Sequence, residues 1–518
     1  MKKIIIKILL ISASSFALLS CNKDALNTAN TNVVSTDQYF QTAAELQAGV
    51  NAIYTTIRGV KLVSREWYFI HDLRSDEVAA GGSQLEVPRG QILIGNVDPT
   101  NSVMNAVWNG LYITIHRANT VITNGAKVTD NSTLRDRCIA EAKFLRAWAY
   151  FELVTKWGAV PLYTTPVSSP SDFQPRTAVD KVYPLIIQDL NDARKILPGK
   201  SNTDKGRATN AAANALLGRV LMQTGDFKGA KEALLEIKTS GADGYQLTDR
   251  YMDNFEEETE FNPESIFEIV YVDRGDNGFD WGGDNDSPNA AQSTIRNQEY
   301  NPVAWRNLVP SDKLLAEFEN TATGAAKTDP RFAYSFYQSG DKYNNGADIL
   351  TDADQNGSSS ILNGVSKKIS FRKFSIIYKE SKSRAGYHPG GNNQRIIRYA
   401  EVLLNLAECE AELGKLSDAV DYLNKVRARA SVAMPSYPTA QYPVDTKENV
   451  MKAIMHEKLV ELSNECHRDL DILRWRPKRY FSKEPISYFR PGRDELLPIP
   501  QAELDNNPLV NGNQNPGY

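Results

Sequence analysis

The chain has 518 residues, enough for a large core and more than one lobe. Its hydrophobic content of 41% and charged content of 24% are those of an ordinary globular protein, which excludes a fibrous or wholly disordered chain. The formal charge of −4, with no basic run, disfavours nucleic acid and other polyanions as partners.

In chain order, Lys2 and Lys3 precede an apolar run over 4–19, broken by Lys7 and ending Leu18-Leu19-Ser20-Cys21. A basic start before a short apolar run reads as an export signal, too short for a comfortable membrane span. Its end resembles a bacterial lipoprotein signal: 1–20 would be removed and Cys21 lipidated as the new N-terminus. Acyl chains then anchor the protein, at about 0.8 kcal/mol per buried methylene. The alternative is a secretory signal with an incidental cysteine. Losing Lys2, Lys3 and Lys7 would leave a net charge of about −7. Residues 21–36 are polar and read as a tether, and no later run is apolar enough to span a bilayer. Cys138, Cys409 and Cys466 are odd in number and each falls in a helical pattern, so they read as small buried hydrophobes and not as a disulfide framework or zinc site.

Thr42-Ala-Ala-Glu45 is a capping box opening a helix with Leu46, Val50, Ile53 and Ile57 on one face. Residues 61–100, rich in Gly and Pro, read as a long irregular excursion. Asp98 or Asn101 then starts a helix with Met104, Trp108, Leu111, Ile115, Ala118 and Ile122 in register. The next helix, over 132–155, is apolar on two sides and therefore belongs inside a stack. A further helix is expected over 183–197, before Pro198-Gly199.

Residues 211–237 and 396–430 each read as two antiparallel helices, joined at Gly225 and Gly414. The two segments align on Leu217/Leu406, Gly218/Ala407, Phe227/Leu416, Ala230/Ala419 and Leu234/Leu423. This spacing resembles the tetratricopeptide repeat, whose single pairs need neighbours to bury their faces. Between the pairs the helical signal weakens. Strands are expected over 264–272 and 368–374, with helical residues at 311–319 and Gly-rich polar loops elsewhere. A long helix is expected over 447–475.

Several local patterns add to the leader and the repeats. They are Arg146-Ala-Trp-Ala-Tyr-Phe-Glu-Leu153 running into Trp157-Gly-Ala-Val-Pro-Leu162, and Glu457-Lys-Leu-Val-Glu-Leu462 with Glu465, Arg468-Asp-Leu470 and Arg474-Trp475. The last are Leu497-Pro-Ile-Pro-Gln501, Asn507-Pro508 and Gln514-Asn-Pro-Gly-Tyr518. Together, over essentially the whole chain, they resemble the SusD/RagB family of surface nutrient-binding lipoproteins. Lys458 stands where that family often has Arg, and Cys466 where it often has Gly; both departures are expected to alter packing only.

The resemblance implies a mostly α fold: a scaffold of four tetratricopeptide-like pairs, and a loop-rich lobe with minor β structure that carries the ligand site. Within a domain over 37–518, the scaffold falls mainly at 37–60, 101–248 and 396–475, and the lobe at 61–100 and 249–395. It further implies a protein that does no chemistry and needs no cofactor, lipid-anchored and surface-exposed on the outer membrane. It would capture oligosaccharides, or in some members peptides, and cover a SusC-like TonB-dependent transporter as a lid.

A saccharide binder wants aromatic platforms beside short polar side chains. Phe279 and Trp281 lie among glycines with Asp280, Asp284, Asn285 and Asp286, where no apolar periodicity explains them. Tyr300 and Trp305, near Arg296 and Asn297, form a second group, with loop anchoring as the alternative. Trp67-Tyr68-Phe69, beside Arg74, Asp76 and Glu77, is a third, with core packing as the alternative. Asp352, Asp354 and Asn356 resemble the start of a calcium loop, but Asn363 replaces its closing Glu, and a solvated turn is the simpler reading.

Glu457, Glu461 and Glu465 share a helix face. Paired carboxylates would suit a polysaccharide hydrolase or lyase, whereas i,i+4 pairing with Lys458, Arg468 and Arg474 is the structural alternative. A third class is a tetratricopeptide adaptor using its concave helical face.

Overall fold

A computed structural model describes residues 39–82, 85–274, 292–320, 326–386 and 389–518. The leader, the tether and Cys21 lie outside them. The longer helices, in chain order, are α1 (Ala43–Arg58), α2 (Glu66–Asp72), α3 (Ser102–Gly125), α4 (Ser132–Trp157), α5 (Val179–Ile196), α6 (Asn210–Thr224), α7 (Phe227–Leu235), α8 (Tyr399–Glu412), α9 (Leu416–Arg427), α10 (Lys447–Leu462) and α11 (Arg468–Trp475).

Local chemistry sets their starts. The capping box at Thr42 forms, with Leu46, Val50, Ile53 and Ile57 buried behind it. Asn101 caps α3 through Met104 N–H, and Asn131 caps α4 through Leu134 N–H. Gly225, at φ 83°, closes α6 in the left-handed conformation, and Gly414 turns the chain between α8 and α9 at φ 79°.

The helices pack as successive pairs, α1/α3, α4/α5, α6/α7 and α8/α9, each resting on the next. Inside this stack α4 is buried all round from Ala140 to Trp157 except at Lys143. Arg146 joins α4 to α5 by a bidentate pair with buried Asp189, at 2.7 and 2.8 Å.

The stack is also clasped at its far side. Residues 497–518 return to the end of α4: Leu497 N–H donates to Lys156 O at 2.7 Å, and the Trp157 indole donates to Pro498 O at 3.1 Å. Asn515 donates to Trp157 O and Leu497 O at 3.0 and 2.7 Å. The patterns at 497–501 and 514–518 are therefore the two halves of one clasp.

The lobe carries short strands: β1 (Val78–Ala80), β2 (Ser265–Ile269), β3 (Leu308–Pro310), β4 (Phe336–Gln338), β5 (Ile369–Phe371) and β6 (Gln394–Arg398). Among the described residues every sheet is a two-stranded antiparallel pair; these strands form three of them, β1–β3, β2–β6 and β4–β5, and three more pair shorter strands at 160–161 with 176–177, 342–343 with 348–349, and 360–362 with 365–367. β2–β6 brings the two ends of the lobe together against the scaffold.

Four expectations need correction. Residues 396–398 are strand, because β6 pairs with β2, and α8 begins only at Tyr399. The helix expected over 183–197 starts earlier, at Val179, and carries Pro184 inside it. The excursion over 61–100 holds α2 and a short helix Val87–Leu93, with Trp67, Tyr68, Phe69 and Ile70 all in the core. The helix expected over 447–475 breaks at 463–467, where Asn464 and Cys466 take φ of 58° and 66°. Cys466 thus holds a backbone conformation that glycine adopts without strain.

Candidate functional site

The break after α10 turns a row of carboxylates into a buried network. Glu461 accepts from Arg398 Nη1 at 2.7 Å, Arg429 Nη2 at 2.9 Å and Arg331 Nη1 at 3.1 Å. Glu465 pairs with Arg398 at 2.6 Å and Lys373 at 2.8 Å. Glu264 pairs with Arg398 at 2.7 Å and Arg429 at 2.6 Å, and Asp329 pairs with Arg331 at 2.8 Å. Glu457 sits between Arg331 and Arg427 and accepts from the Tyr437 hydroxyl at 2.9 Å. All of these ionic side chains are at most 1% exposed.

The cations expected to partner these glutamates go elsewhere. Lys458 pairs with Glu408 and Asp471, Arg468 with Asp76, and Arg474 with Glu408 and Asp471. Desolvation pushes Glu264 and Glu461 up, but the arginines outweigh it, holding Glu264 down at about 2 and Glu461 well below the ordinary range. A glycosidase needs an accessible carboxyl kept protonated near neutral pH. These carboxylates are walled off from water and paired with arginine or lysine, so their role is to tie α10, α9, β2 and β6 to the segments around 329–331 and 373.

The lobe sorts the predicted ligand residues. Trp67 is 2% exposed, packed on His71 and Trp148 at ring distances of 4.7 and 6.4 Å. Tyr300, also 2% exposed, donates to Asp72 Oδ2 at 2.9 Å and meets Tyr68 and Phe69 edge-on. The Arg296 guanidinium is buried over the Phe374 ring at 4.1 Å and donates to Gln394 and to Asn464 O. These three are core residues in this structure, where the alternative of loop anchoring and core packing holds.

Trp305 is half-buried, between buried Ala304 and Arg306, with its N–H donating to Gln298 O at 3.1 Å. Phe279, Trp281 and Asn285, with Asp280, Asp284 and Asp286, lie outside the described residues. The chain on either side of that segment is pinned: Val272 N–H donates to Gln292 O and the Ser293 hydroxyl donates to Val272 O, both at 2.7 Å. Arg384 pairs with Asp273 just beyond.

The Asp352–Asp354 segment is a single 3-10 turn closed by a capping box at Thr351. Asp354 accepts from Thr351 and pairs with Lys382 at 2.7 Å, Asp352 accepts from Ser339, and Asn356 O accepts from Arg306. These contacts are those of a surface turn, and no group of three or more metal-ligating side chains occurs among the described residues.

Two open clefts escaped the reading of the sequence. One, of about 820 Å³, runs between α10, Tyr442 and the 479–487 loop. The other, of about 670 Å³, lies beside α3 with Tyr112, Tyr163 and Phe173 on its walls. Their aromatics stand in loops or at helix surfaces far apart in sequence, and only the tertiary fold gathers them. A legible hint was the run Tyr480-Phe481, placed beyond any helical pattern.

Two family models match the chain: one described as the SusD family over 263–518, and one described as starch-binding, associating with the outer membrane, over 93–222. SusD-like protein P2 of Formosa agariphila is 28% identical over 516 residues, covering 94% of this chain and 95% of its own. A solved laminarin-binding SusD-like protein is 28% identical, with a TM-score of 0.71 over 92% of this chain and all of that one. Surface glycan-binding protein A of Bacteroides thetaiotaomicron, solved with laminarihexaose, superposes with a TM-score of 0.71 over 92% of this chain and 100% of that one, at 23% identity.

Proposed function

Because the chain belongs to the SusD/RagB family, whose glycan-binding members are non-catalytic, we propose that it binds nutrient oligomers, oligosaccharides foremost, and passes them to a SusC-like TonB-dependent transporter in the outer membrane. Acylated Cys21 is the anchor in this reading, with the binding lobe facing outward. The observation that carries the ligand class is the end-to-end likeness, at 28% identity, to a laminarin-binding relative. A half-buried Trp305 and the hydrogen bonds that join Val272 to Gln292 and Ser293 support it. Phe279, Trp281 and Asn285 remain the proposed contacts, with Trp305 at the edge. Trp67, Tyr300 and Arg296 are buried and support the surrounding backbone.

Affinity measurement against glycan and peptide panels tests this. Replacing Trp281 or Trp305 by Ala is expected to cost about 1–2 kcal/mol, a 5- to 30-fold loss. Tight binding of peptides with no glycan bound would move the chain to the peptide-binding reading. Affinity untouched by Trp281→Ala would remove that residue from the site.

A further inference from the structure

We propose that the cleft of about 820 Å³ where α10 and the 479–487 loop meet Lys313 and Glu317 is a second binding site, selective for a sugar unit bearing an anionic group, either a uronate carboxylate or a sulfate ester. The volume suits a short oligomer.

One wall is a fixed aromatic surface. The Tyr442 ring stacks on His456 at 4.2 Å and 28°, and both are fastened to Glu317, His456 Nδ1 at 2.8 Å and the Tyr442 hydroxyl at 3.3 Å. Tyr480 and Phe481, half-buried, face the same space, and the Tyr480 hydroxyl is held by Glu412 at 2.8 Å. Gln441, Asn449 and Ser482 line the cleft as neutral hydrogen-bonding groups. Apolar ring faces beside amides and hydroxyls are what a pyranose contacts.

The charge on the walls adds the second criterion. Each lining carboxylate already has a cation: Glu317 has His456, Glu448 has Lys452 at 2.8 Å, and Glu484 has Arg476 at 2.8 Å. The lining cations outnumber them. Arg468 and Lys313 share the single carboxylate of Asp76, and Arg468 Nη1, in a residue 5% exposed, has no hydrogen-bond partner. Arg479 and Lys483 are exposed on the rim with no ion pair among the described residues. Burial opposes charging of His456, but Glu317 and Glu319 outweigh it and raise its pKa to about 9, so at neutral pH it carries the charge that balances Glu317. An acidic chain, without a basic run in its sequence, thus gathers a positive cleft by folding. Low-dielectric walls of one sign concentrate ligands of the other.

Titration calorimetry on the full chain tests the proposal with trigalacturonate, a sulfated galactose trisaccharide and neutral galactotriose. Arg479 and Lys483 are both exposed, so the charge reversals Arg479→Glu and Lys483→Glu remove no buried contact. The double variant should weaken the acidic probes at least tenfold, leave any neutral binding unchanged, and flatten the salt dependence between 0.05 and 0.5 M. Trp281→Ala should leave acidic binding within twofold. Preference for the carboxylate or the sulfate probe upholds the site and names its anion. Acidic probes bound no better than galactotriose, affinity unmoved by the charge reversal, or acidic binding lost in Trp281→Ala would each overturn it. Absence of neutral glycan binding in the wild-type chain, with acidic binding intact, would count only against the proposed function.

Discussion

Glu461→Gln is the sharpest test of how the two parts of the molecule are joined. The substitution keeps the shape and an acceptor oxygen but removes the charge facing Arg331, Arg398 and Arg429. None of these is accessible to water, so the uncompensated cation stays buried, at a cost of about 3–5 kcal/mol. At about 2.1 cal/mol/K per residue over ~480 folded residues, the unfolding entropy is about 1 kcal/mol/K, and Tm should fall by about 3–5 °C.

Circular dichroism melts at pH 7 measure this, with Glu448→Gln as control, because Glu448 is exposed and meets only Lys452. A pH series supplies an independent reading. Glu264 has a folded pKa depressed to about 2 against an unfolded value near 4.5. Its contribution is therefore present above the unfolded value and lost as pH falls towards 2, about 3 kcal/mol in all. Wild type should lose stability steeply between pH 4.5 and 2, and Glu461→Gln, with one depressed carboxylate fewer, less steeply. A Tm change no larger than that of Glu448→Gln, or identical acid profiles, would show that the network does not hold the fold as argued.

Other expectations follow from single residues. His456 has a folded pKa raised to about 9, so its stabilisation is complete below pH 6.5 and disappears as pH rises through 9; urea midpoints should drop across that window in wild type and stay flat in His456→Gln. Cys466→Gly relieves the left-handed strain at φ 66° while removing a small buried side chain, and should change stability by less than about 1 kcal/mol, whereas Cys466→Val should lose about 2–3 kcal/mol by equilibrium unfolding. Gly225→Ala meets no atom within 4 Å, so its loss, about 1–2 kcal/mol by the same measurement, comes from the backbone alone.

Most of the scaffold was legible because its signals are local. The capping box at 42, the cap at 101 (one of the two candidates), stripes at helical spacing and the turn glycines 225 and 414 each act within a few residues of themselves. The break after α10 was not, because its left-handed positions are held by Asn464 and Cys466, and tertiary contacts, not Gly or Pro, impose it. Ile396 and Ile397 suit helix and strand alike, and the strand is decided by a partner at 265–269.

The candidate site was read less well for a related reason. Trp67 and Tyr300 carry the composition of a platform, but their burial depends on neighbours such as Trp148 and Asp72 that lie far off in sequence. The ion partners of Glu457 and Glu461 were likewise sought along the helix and found on segments about 30–130 residues away.

The clasp of residues 497–518 on the end of α4 changes how a row of helix pairs behaves. An open array frays from its outermost unit inward, each unit depending only on its neighbour. Here a strap from beyond the last pair is fastened to the second, so peeling from the C-terminal end must first undo that fastening. Pulling at the surface, such as a bulky polymer dragged through a gate would exert, therefore meets the resistance of a closed loop instead of a string of separable beads.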